Sequence, residues 1–367
     1  MVRSLSKLSL MFSVCCLFLA ACTSSPGGGN KAFLQPATGK PGDMIIVMDS
    51  VKWNGPLGKE VRKVFMGYVE GLPREETTFD VTYIDPRKLN SLLKNIRNLV
   101  FVTSLDGKTE GTDIMKNYFT QRTLDRIASD PDLYLFLDKD VFAKGQEVMY
   151  LVGQDDGLLM NNIEENGDKL IGHFNSLEMK RLEKSLFKAK EVKGITDMLE
   201  RDHKCSIRIP FGYQLAANDD RFIWAREVGT EIDKSVFITY KDYTTQDVFK
   251  PENIMQLRDS IARIKLFEDP DNPASFVVTE TIIPPVSKET TFDGKYAVRT
   301  KGLWKTNNLS MGGPFISYVV VDEALRRVYY IEGFVYSPGK PQRETMRELE
   351  AILSTFKTSE TLPAENS

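Results

Sequence analysis

Residues 44–69 read MIIVMDSVKWNGPLGKEVRKVFMGYV, and this stretch sets the architecture of the first half of the chain. Met44 to Met48 form a short continuous apolar run, which is typical of a buried strand. Asn54-Gly55-Pro56 then supplies the cap and the early proline that begin a helix. The helix is predicted to have one apolar face, made of Leu57, Val61, Val64, Phe65, Tyr68 and Val69. A strand followed by an amphipathic helix is the repeating unit of an α/β domain.

The same alternation continues downstream. Further strands are predicted at residues 79–84, 99–105, 133–137 and 148–152. Helices are predicted at residues 89–96, 115–128, 158–174 and 177–190. We therefore predict an α/β layer domain over residues 38–190, with helices covering the sheet.

The second half has a different pattern, in which strands follow one another in runs. Strands are predicted at residues 205–209, 221–226, 236–240, 276–283, 296–300, 315–321 and 328–335. One helix begins at Pro251, with Ile254, Leu257, Ile261 and Ile264 on its apolar face, and a second closes the domain, with Met346, Leu349, Ile352, Leu353 and Phe356 at core spacing. This pattern predicts an α+β domain at 205–357, a mainly antiparallel sheet sandwich with two helices. Residues 191–204 form the predicted junction, and 358–367 a loose tail.

The first 22 residues predict an export signal. Arg3 and Lys7 precede the apolar run Leu8–Leu19, which is too short to span a bilayer. Leu19-Ala20-Ala21-Cys22 follows and resembles the bacterial lipobox, whose cysteine is lipidated, for instance with palmitate, before the signal peptidase cuts. We expect a signal peptide at 1–21 and a flexible lipidated tether at 22–37. The alternative is an ordinary secretory leader that a cysteine happens to follow.

Composition restricts the chemistry further. Lys and Arg number 48 and Asp and Glu 51, so the net charge of −3 gives no reason to expect nucleic-acid binding. Two histidines in the whole chain exclude a His-rich metal site. Cys205 is the only cysteine beyond Cys22, and its strand-like surroundings predict a buried, inert thiol. No phosphate-binding, dinucleotide, zinc, calcium or nucleophile-elbow motif is present. We therefore predict no catalytic residue, metal or cofactor.

Aromatic residues give the best candidates for ligand binding. Trp53 and Trp304 are flanked by polar and glycine residues in turn-like surroundings, where an exposed ring stacks on a glycan or anchors a partner. Arg299 lies near Trp304 and could pair with a carboxylate or phosphate. Core packing is the more common fate of a tryptophan. Asp43 and Asp49 bracket the first strand, where they are expected to end the strand and cap a turn.

The mature chain resembles an uncharacterised lipoprotein family of Bacteroidetes, catalogued as a domain of unknown function. The residues that carry this resemblance are Gly39-Lys40-Pro41-Gly42-Asp43, Gly55-Pro56-Leu57-Gly58, Arg97-Asn98 and Phe142-Ala143-Lys144-Gly145-Gln146. The second half separately resembles the PsbP/Mog1-like sandwich, through Ile207-Arg208-Ile209-Pro210-Phe211-Gly212-Tyr213, Gly302-Leu303-Trp304 and Ser354-Thr355-Phe356-Lys357. Neither family supplies a catalytic residue set. The resemblances imply an accessory or binding role in the cell envelope.

The sequence thus predicts a non-catalytic, lipid-anchored module that binds an envelope protein or a small ligand. Residues 23–30 lack the acidic run of surface-exported lipoproteins in this phylum, so we expect an outer-membrane protein that faces the periplasm. The first alternative is an envelope glycan or peptidoglycan hydrolase with two carboxylates about 5–10 Å apart. The second is a structural spacer without a pocket or a defined partner.

Overall fold

The computed structural model describes residues 33–188, 190–269 and 272–358. The predicted signal peptide 1–21, the predicted lipidation site Cys22 and the tail from residue 359 onward lie outside these residues. At the end of the predicted tether, Pro36 and Ala37 already pair with Lys144, whose carbonyl oxygen accepts from the Ala37 N–H at 2.9 Å. Within the described ranges, no helix is long and apolar enough to cross a membrane.

The N-terminal domain alternates strands and helices along the chain. Its elements are β1 (Asp43–Met48), α1 (Ser50–Trp53), α2 (Pro56–Phe65), β2 (Asp80–Ile84), α3 (Ser91–Lys94), β3 (Asn98–Ser104), α4 (Glu110–Lys116), α5 (Gln121–Ser129), β4 (Leu135–Lys139), β5 (Glu147–Gly153) and α6 (Asp156–Leu186).

The strands form a five-stranded sheet in the order β2-β1-β3-β5-β4, in which only β4 runs antiparallel to its neighbour. Apolar side chains cover both faces. Val61 of α2 and Leu159 of α6 belong to the core cluster on one face, and Met115 of α4 and Ile127 of α5 belong to the cluster on the other. The predicted α/β layer domain is confirmed.

Helix α2 is shorter than its apolar pattern predicts. It ends at Phe65, and Tyr68 is 61% exposed and forms a bridge with Thr77 instead of extending the helix. Gly58 is required near the start of α2, because a Cβ there would lie 2.0 Å from the carbonyl oxygen of Trp53.

Two predicted helix boundaries are also wrong. Residues 115–128 contain parts of two helices, α4 and α5, each begun by a threonine cap. Conversely, the helices predicted at 158–174 and 177–190 form the single helix α6. The sequence between them contains no proline or glycine to end a helix, and the buried row Leu170, Phe174 and Glu178 runs straight through it.

The C-terminal domain begins with two short helical segments. Its elements are α7 (Lys193–Met198), β6 (Cys205–Ser206), β7 (Gln214–Asp219), β8 (Phe222–Val228), β9 (Asp233–Asp242), α8 (Pro251–Lys265), β10 (Phe267–Asp269), β11 (Asn272–Thr279), β12 (Val286–Phe292), β13 (Lys295–Thr306), β14 (Gly312–Asp322), β15 (Arg327–Tyr336), α9 (Arg343–Leu353) and β16 (Lys357–Thr358); a π-helical turn at Leu199–His203 follows α7.

One curled antiparallel sheet dominates this domain, in the order β10-β11-β13-β14-β15-β9-β8-β7, with β12 also paired to β13. Helix α9 packs on one face, where Leu349 and Ile352 are fully buried. Helix α8 packs on the other face through Ile254 and Ala262. The predicted α+β class with an antiparallel sheet and covering helices is confirmed.

The two domains meet where α6 packs against α9. Helix α9 has no side-chain cap of its own. Its first N–H groups, at Gln342 and Arg343, donate to the carboxylate of Glu76 in the N-terminal domain at 2.7 and 2.9 Å. The Arg343 guanidinium also bonds Asp80 at 2.6 Å, and this contact lowers the pKa of Asp80. The N-terminal domain therefore satisfies two of the free N–H donors that begin α9.

Candidate functional site

Trp304 and Arg299 lie on the same strand but on opposite faces of the sheet. Because side chains alternate along β13, their five-residue spacing sends them to different sides. Arg299 lies on the α9 side, with its guanidinium 3.5 Å from the carboxylate of Glu350. Trp304 lies on the α8 side within the core cluster that contains Ile254. The structure therefore does not bring the two residues together into one site.

Trp304 is a core residue, the more common fate of a tryptophan, and not an exposed residue in the turn that its flanking sequence suggests. The residue lies within β13 and is only 3% exposed. Its indole N–H donates to the carbonyl oxygen of Val335 at 3.2 Å. Gly313 makes room for this contact, because a Cβ there would lie 2.0 Å from the same oxygen. Trp304 is therefore part of the core. It can contribute to binding only where its ring lines a pocket.

Trp53 likewise has the more common fate of a tryptophan and packs on the core. It ends the short helix α1 and packs against the core of the N-terminal domain. Its ring stacks on Tyr83 at a centroid distance of 4.5 Å, and the Arg62 guanidinium lies 4.7 Å from the ring centroid. Because both faces of the indole have these neighbours, Trp53 is a packing residue.

A pocket lies beside Trp304 on the α8 side of the curled sheet, where α8 ends and β10 begins. We call it the aromatic pocket. The space between its lining atoms, including the part open to solvent, is about 440 Å³, of which about 40 Å³ admits the centre of a water-sized sphere. It is lined by Trp224, Arg226, Asp233, Ser235, Leu266, Phe267, Val277, Trp304, Thr306, Met311, Phe334 and Tyr336.

The curl of the sheet creates the aromatic pocket. Its walls come from β8 near one end of the strand order and from β10 and β11 at the other end. Leu266, directly after α8, also lines the pocket. The indole of Trp304 meets the ring of Phe334 edge to face at 5.5 Å, which gives the pocket a rigid apolar wall.

Two nitrogen donors in the aromatic pocket lack a partner in the described part of the chain. They are the indole Nε1 of Trp224 and the Nε of Arg226, both shielded from solvent. Neither residue was among the ligand-binding candidates that the sequence suggests. Their spacing was nevertheless a usable signal. Trp224 and Arg226 lie two residues apart on a predicted strand, so both side chains are on the same face.

The mouth of the pocket continues into a surface cleft. Asp233 and Tyr336 line both spaces, and the cleft extends over the turn at Gly229 to Lys340. Asp233 is the single carboxylate among the described residues that line the aromatic pocket, and Glu231 also lines the cleft. The Oδ1 of Asp233 accepts from the Gly229 N–H at 3.1 Å.

The carboxyl edge of the N-terminal sheet is a second cluster of polar residues. Ligands of α/β sheets often bind at such an edge. Here Lys52 bonds Ser104 at 2.6 Å and also bonds the carboxylate of Asp156, and it lies 3.7 Å from Asp106. Asp49 caps α1 through the Val51 N–H at 2.9 Å. These groups are therefore engaged with one another.

Asp85, after β2 at the same edge, is also engaged. Its carboxylate accepts two hydrogen bonds at 2.8 Å from the Arg87 guanidinium, which lower the pKa of Asp85 to about 2. A carboxyl with such a low pKa is ionised at neutral pH and is a poor general acid.

Cys205 is fully buried in the C-terminal core, and this burial raises the pKa of its thiol to about 12. A thiol with so high a pKa supplies almost no thiolate for nucleophilic attack. His203 bonds Tyr240 at 3.0 Å and Asn218 at 2.8 Å. Across the described ranges, no group of three or more His, Cys, Asp and Glu residues is placed to hold a metal ion.

In the comparison with known proteins, each half of the chain matches a different protein-family model. Residues 37–187 match the Domain of unknown function (DUF8532), and residues 193–355 match the Domain of unknown function (DUF4837). No curated protein matches the sequence.

Among solved structures, the Ran-binding protein Mog1p of Saccharomyces cerevisiae is similar at 9% identity and a TM-score of 0.29, over 42% of this chain and 90% of that one. A point mutant of the protein Mog1 is similar at 10% identity and 0.27, over 43% and 92% of the two chains. The lipid transfer and protein localization domain of human StarD13 gives 10% and 0.21, over 44% and 95%. The chain thus contains two consecutive domains, each of which matches a family model of unknown function.

Proposed function

We propose that this protein is a non-catalytic, lipid-anchored binding protein of the cell envelope, and that its C-terminal domain binds a small molecule with an apolar or aromatic body. The observation that carries the binding role is the aromatic pocket. It is concave, lined mainly by apolar and aromatic side chains, and holds a few polar groups, which is the usual composition of a small-molecule site.

The pocket offers a ligand substantial apolar contact. Trp224, Trp304 and Tyr336 present ring surface, and aromatic side chains contribute large contact areas with little loss of side-chain entropy on binding. Each CH₂ group that the ligand buries contributes about 0.8 kcal/mol. A ligand of modest size therefore gains most of its affinity from the walls.

The geometry of the pocket gives no support to the hydrolase alternative. Glycoside hydrolysis uses a pair of carboxyl groups on either side of the scissile bond. Among the described residues, Asp233 is the one carboxylate that lines the aromatic pocket. The structural-spacer alternative would have no pocket, and the pocket beside Trp304 argues against it.

Blocking the pocket tests the binding role. The chain from Cys22 onward keeps every residue that the structure describes and is expected to bind N-phenyl-1-naphthylamine or its 8-sulfonate at one saturable site. Met311→Trp enlarges a flexible lining residue and should weaken that binding at least tenfold, because the indole would occupy space that the probe needs. Fluorescence titration measures both affinities.

Leu309→Trp is the matched control, because Leu309 lies in the same loop, is 71% exposed and does not line the pocket. Its affinity should equal that of the unsubstituted chain. Absence of saturable binding of either probe, or equal affinity in Met311→Trp, would refute the proposed binding role.

The anchoring role is carried by the sequence around Cys22. A lipid-modified cysteine holds a protein at a membrane because each buried CH₂ of its acyl chains contributes about 0.8 kcal/mol. In the native host, the full-length protein should sediment with membranes and incorporate labelled palmitate. Cys22→Ala should lose the label, whereas Cys205→Ala should keep it. A labelled Cys22→Ala protein, or an unlabelled natural one, would contradict the anchor.

A further inference from the structure

We infer that the natural ligand of the aromatic pocket is an amphipathic anion, in which an apolar body carries a carboxylate, sulfonate or phosphate head bound by Arg226 and Trp224. This inference rests on the proposed binding function and adds the charge and polarity of the ligand. Three observations support it. Within the described residues, the Arg226 side chain has no counter-charge and the Trp224 indole N–H has no acceptor. Asp233 lies at the mouth of the pocket.

The side chain of Arg226 has no hydrogen bond or ion pair with any residue in the described part of the chain, and its Nε is shielded from solvent. Its contact is with the face of Trp224, where the guanidinium carbon lies 4.9 Å from the ring centroid. Other half-buried arginines of the protein hold carboxylates: Arg97 and Arg181 bond Glu178, and Arg343 bonds Asp80. A partly buried cation without a counter-charge is costly, and an anionic ligand would supply that charge.

Trp224 supports the same chemistry. An indole N–H donates and never accepts, so that only an acceptor atom satisfies it. The Trp224 Nε1 is shielded from solvent and has no partner among the described residues. Because β8 places Trp224 and Arg226 on the same face, an oxygen-rich head between them accepts from both. Carboxylate, sulfonate and phosphate all have several acceptor oxygens, and arginine binds such groups in a bidentate manner.

The lining of the aromatic pocket determines the chemistry of the rest of the ligand. Beyond Arg226, the described lining is dominated by rings and aliphatic groups, including Trp304, Phe334 and Leu266. A wholly polar anion such as inorganic phosphate would leave these surfaces without contact. The amphipathic ligand would place its head against Arg226 and its apolar body against Trp304.

Asp233 provides an internal test of the sign of the ligand's charge. It lies at the mouth of the pocket and already accepts from the Gly229 N–H. For an anionic ligand, this carboxylate is a repelling charge, and its neutralisation should leave affinity unchanged or improve it. For a cationic ligand, Asp233 would be the attracting group and its neutralisation would be harmful.

The test compares two probes that differ by one charged group, N-phenyl-1-naphthylamine and 1-anilinonaphthalene-8-sulfonate. We expect the chain from Cys22 onward to bind the sulfonate at least tenfold more tightly than the neutral probe. Arg226→Met keeps the length of the side chain and removes the cation. It should weaken sulfonate binding at least tenfold and weaken binding of the neutral probe by a clearly smaller factor, because a charge-assisted hydrogen bond contributes to the sulfonate alone.

Three further variants make the experiment specific. Trp224→Phe, which keeps a ring and removes the N–H, should weaken sulfonate binding several-fold. Asp233→Asn should not weaken it. Arg263→Met is the matched control, because Arg263 also stacks on a ring, that of Phe276, but does not line the pocket. The unliganded Arg226→Met chain should melt at or above the temperature of the unsubstituted chain, since it loses a partly buried cation that has no ion pair within the described ranges. The unliganded Arg263→Met chain should match the unsubstituted chain, since Arg263 is exposed.

The outcomes separate the two proposals. Equal affinity for the two probes, with both lost in Met311→Trp, would overturn the anionic ligand and keep the pocket as a binding site. Loss of binding in Asp233→Asn would overturn it as well, in favour of a cation. Probe binding that Met311→Trp does not change would overturn the proposed function itself.

Discussion

Replacing Arg258 with methionine is expected to destabilise the C-terminal domain by about 3–5 kcal/mol, the usual cost of breaking a buried ion pair by removing one partner. Arg258 lies on α8 and is fully buried. Its guanidinium holds Glu332 on β15 with two hydrogen bonds of 2.9 and 2.8 Å and bonds Thr279 at 3.0 Å. Tyr330 donates a further hydrogen bond to Glu332.

The large cost arises from Glu332 rather than from the lost attraction. Without Arg258, a fully buried carboxylate keeps one hydrogen bond, from Tyr330, and no counter-charge among the described residues. The double variant Arg258→Met, Glu332→Gln removes both charges and keeps an acceptor for Tyr330. It should be less destabilised than the sum of the single variants, because the two side chains are directly coupled.

Urea unfolding followed by tryptophan fluorescence measures this effect. All variants should carry Trp53→Phe, so that Trp224 and Trp304 report on the C-terminal domain alone. Arg263→Met, an exposed arginine on the same helix, is the control and should change stability by no more than about 0.5 kcal/mol. An Arg258→Met chain within about 1 kcal/mol of the unsubstituted one would contradict the prediction.

Helix α8 shows why a local sequence pattern predicts that a helix forms better than it predicts which side chains of the helix are buried. Apolar spacing in α8 predicts a buried face of Ile254, Leu257, Ile261 and Ile264, yet Ile264 is 64% exposed. The fully buried positions are Ile254, Arg258 and Ala262. An arginine occupies the core because its partner, Glu332, lies 74 residues further along the chain. The sequence of α8 alone therefore gives no indication of that partner.

Strand prediction fails where side chains remain at the surface. The sequence pattern misses β7 and β12, because nearly all their residues are exposed or half-buried and neither has the alternation of apolar residues that marks a strand. Strands that cross the core, such as β14 and β15, are predicted correctly because most of their residues are buried.

The aromatic pocket is a product of the curled sheet. Composition singles out Trp304 but assigns it to a loop, whereas its role as a wall depends on the strand pairing that brings β8 toward β11. Arg226 gives no sequence signal of being unpaired, because that property depends on every neighbour in the fold. The sequence therefore predicts the classes of both domains but not the site.

Replacing Glu178 with glutamine is expected to destabilise the N-terminal domain by about 3–5 kcal/mol. Glu178 lies in the C-terminal half of α6 and is only 1% exposed. Its carboxylate is 3.0 Å from Arg97 and 2.6 Å from Arg181, and it accepts from the Asn98 amide at 2.9 Å. An amide of the same shape offers one acceptor oxygen and no charge. Two partly buried guanidinium groups would then repel each other without the carboxylate that they share.

The position of Glu178 predicts where the damage appears. It ties α6 to the start of β3 through Arg97 and Asn98. Amide hydrogen exchange should therefore show lost protection in β1, β3 and β5, with smaller changes in β14 and β15, which belong to the other core. Glu164→Gln is the control on the same helix, because Glu164 is exposed and lies 3.4 Å from Lys63. Such surface ion pairs contribute about 0–1 kcal/mol. Equal exchange in the two variants would show that the buried carboxylate is dispensable, and that α6 is held to the sheet by apolar packing such as that of Leu170 and Phe174.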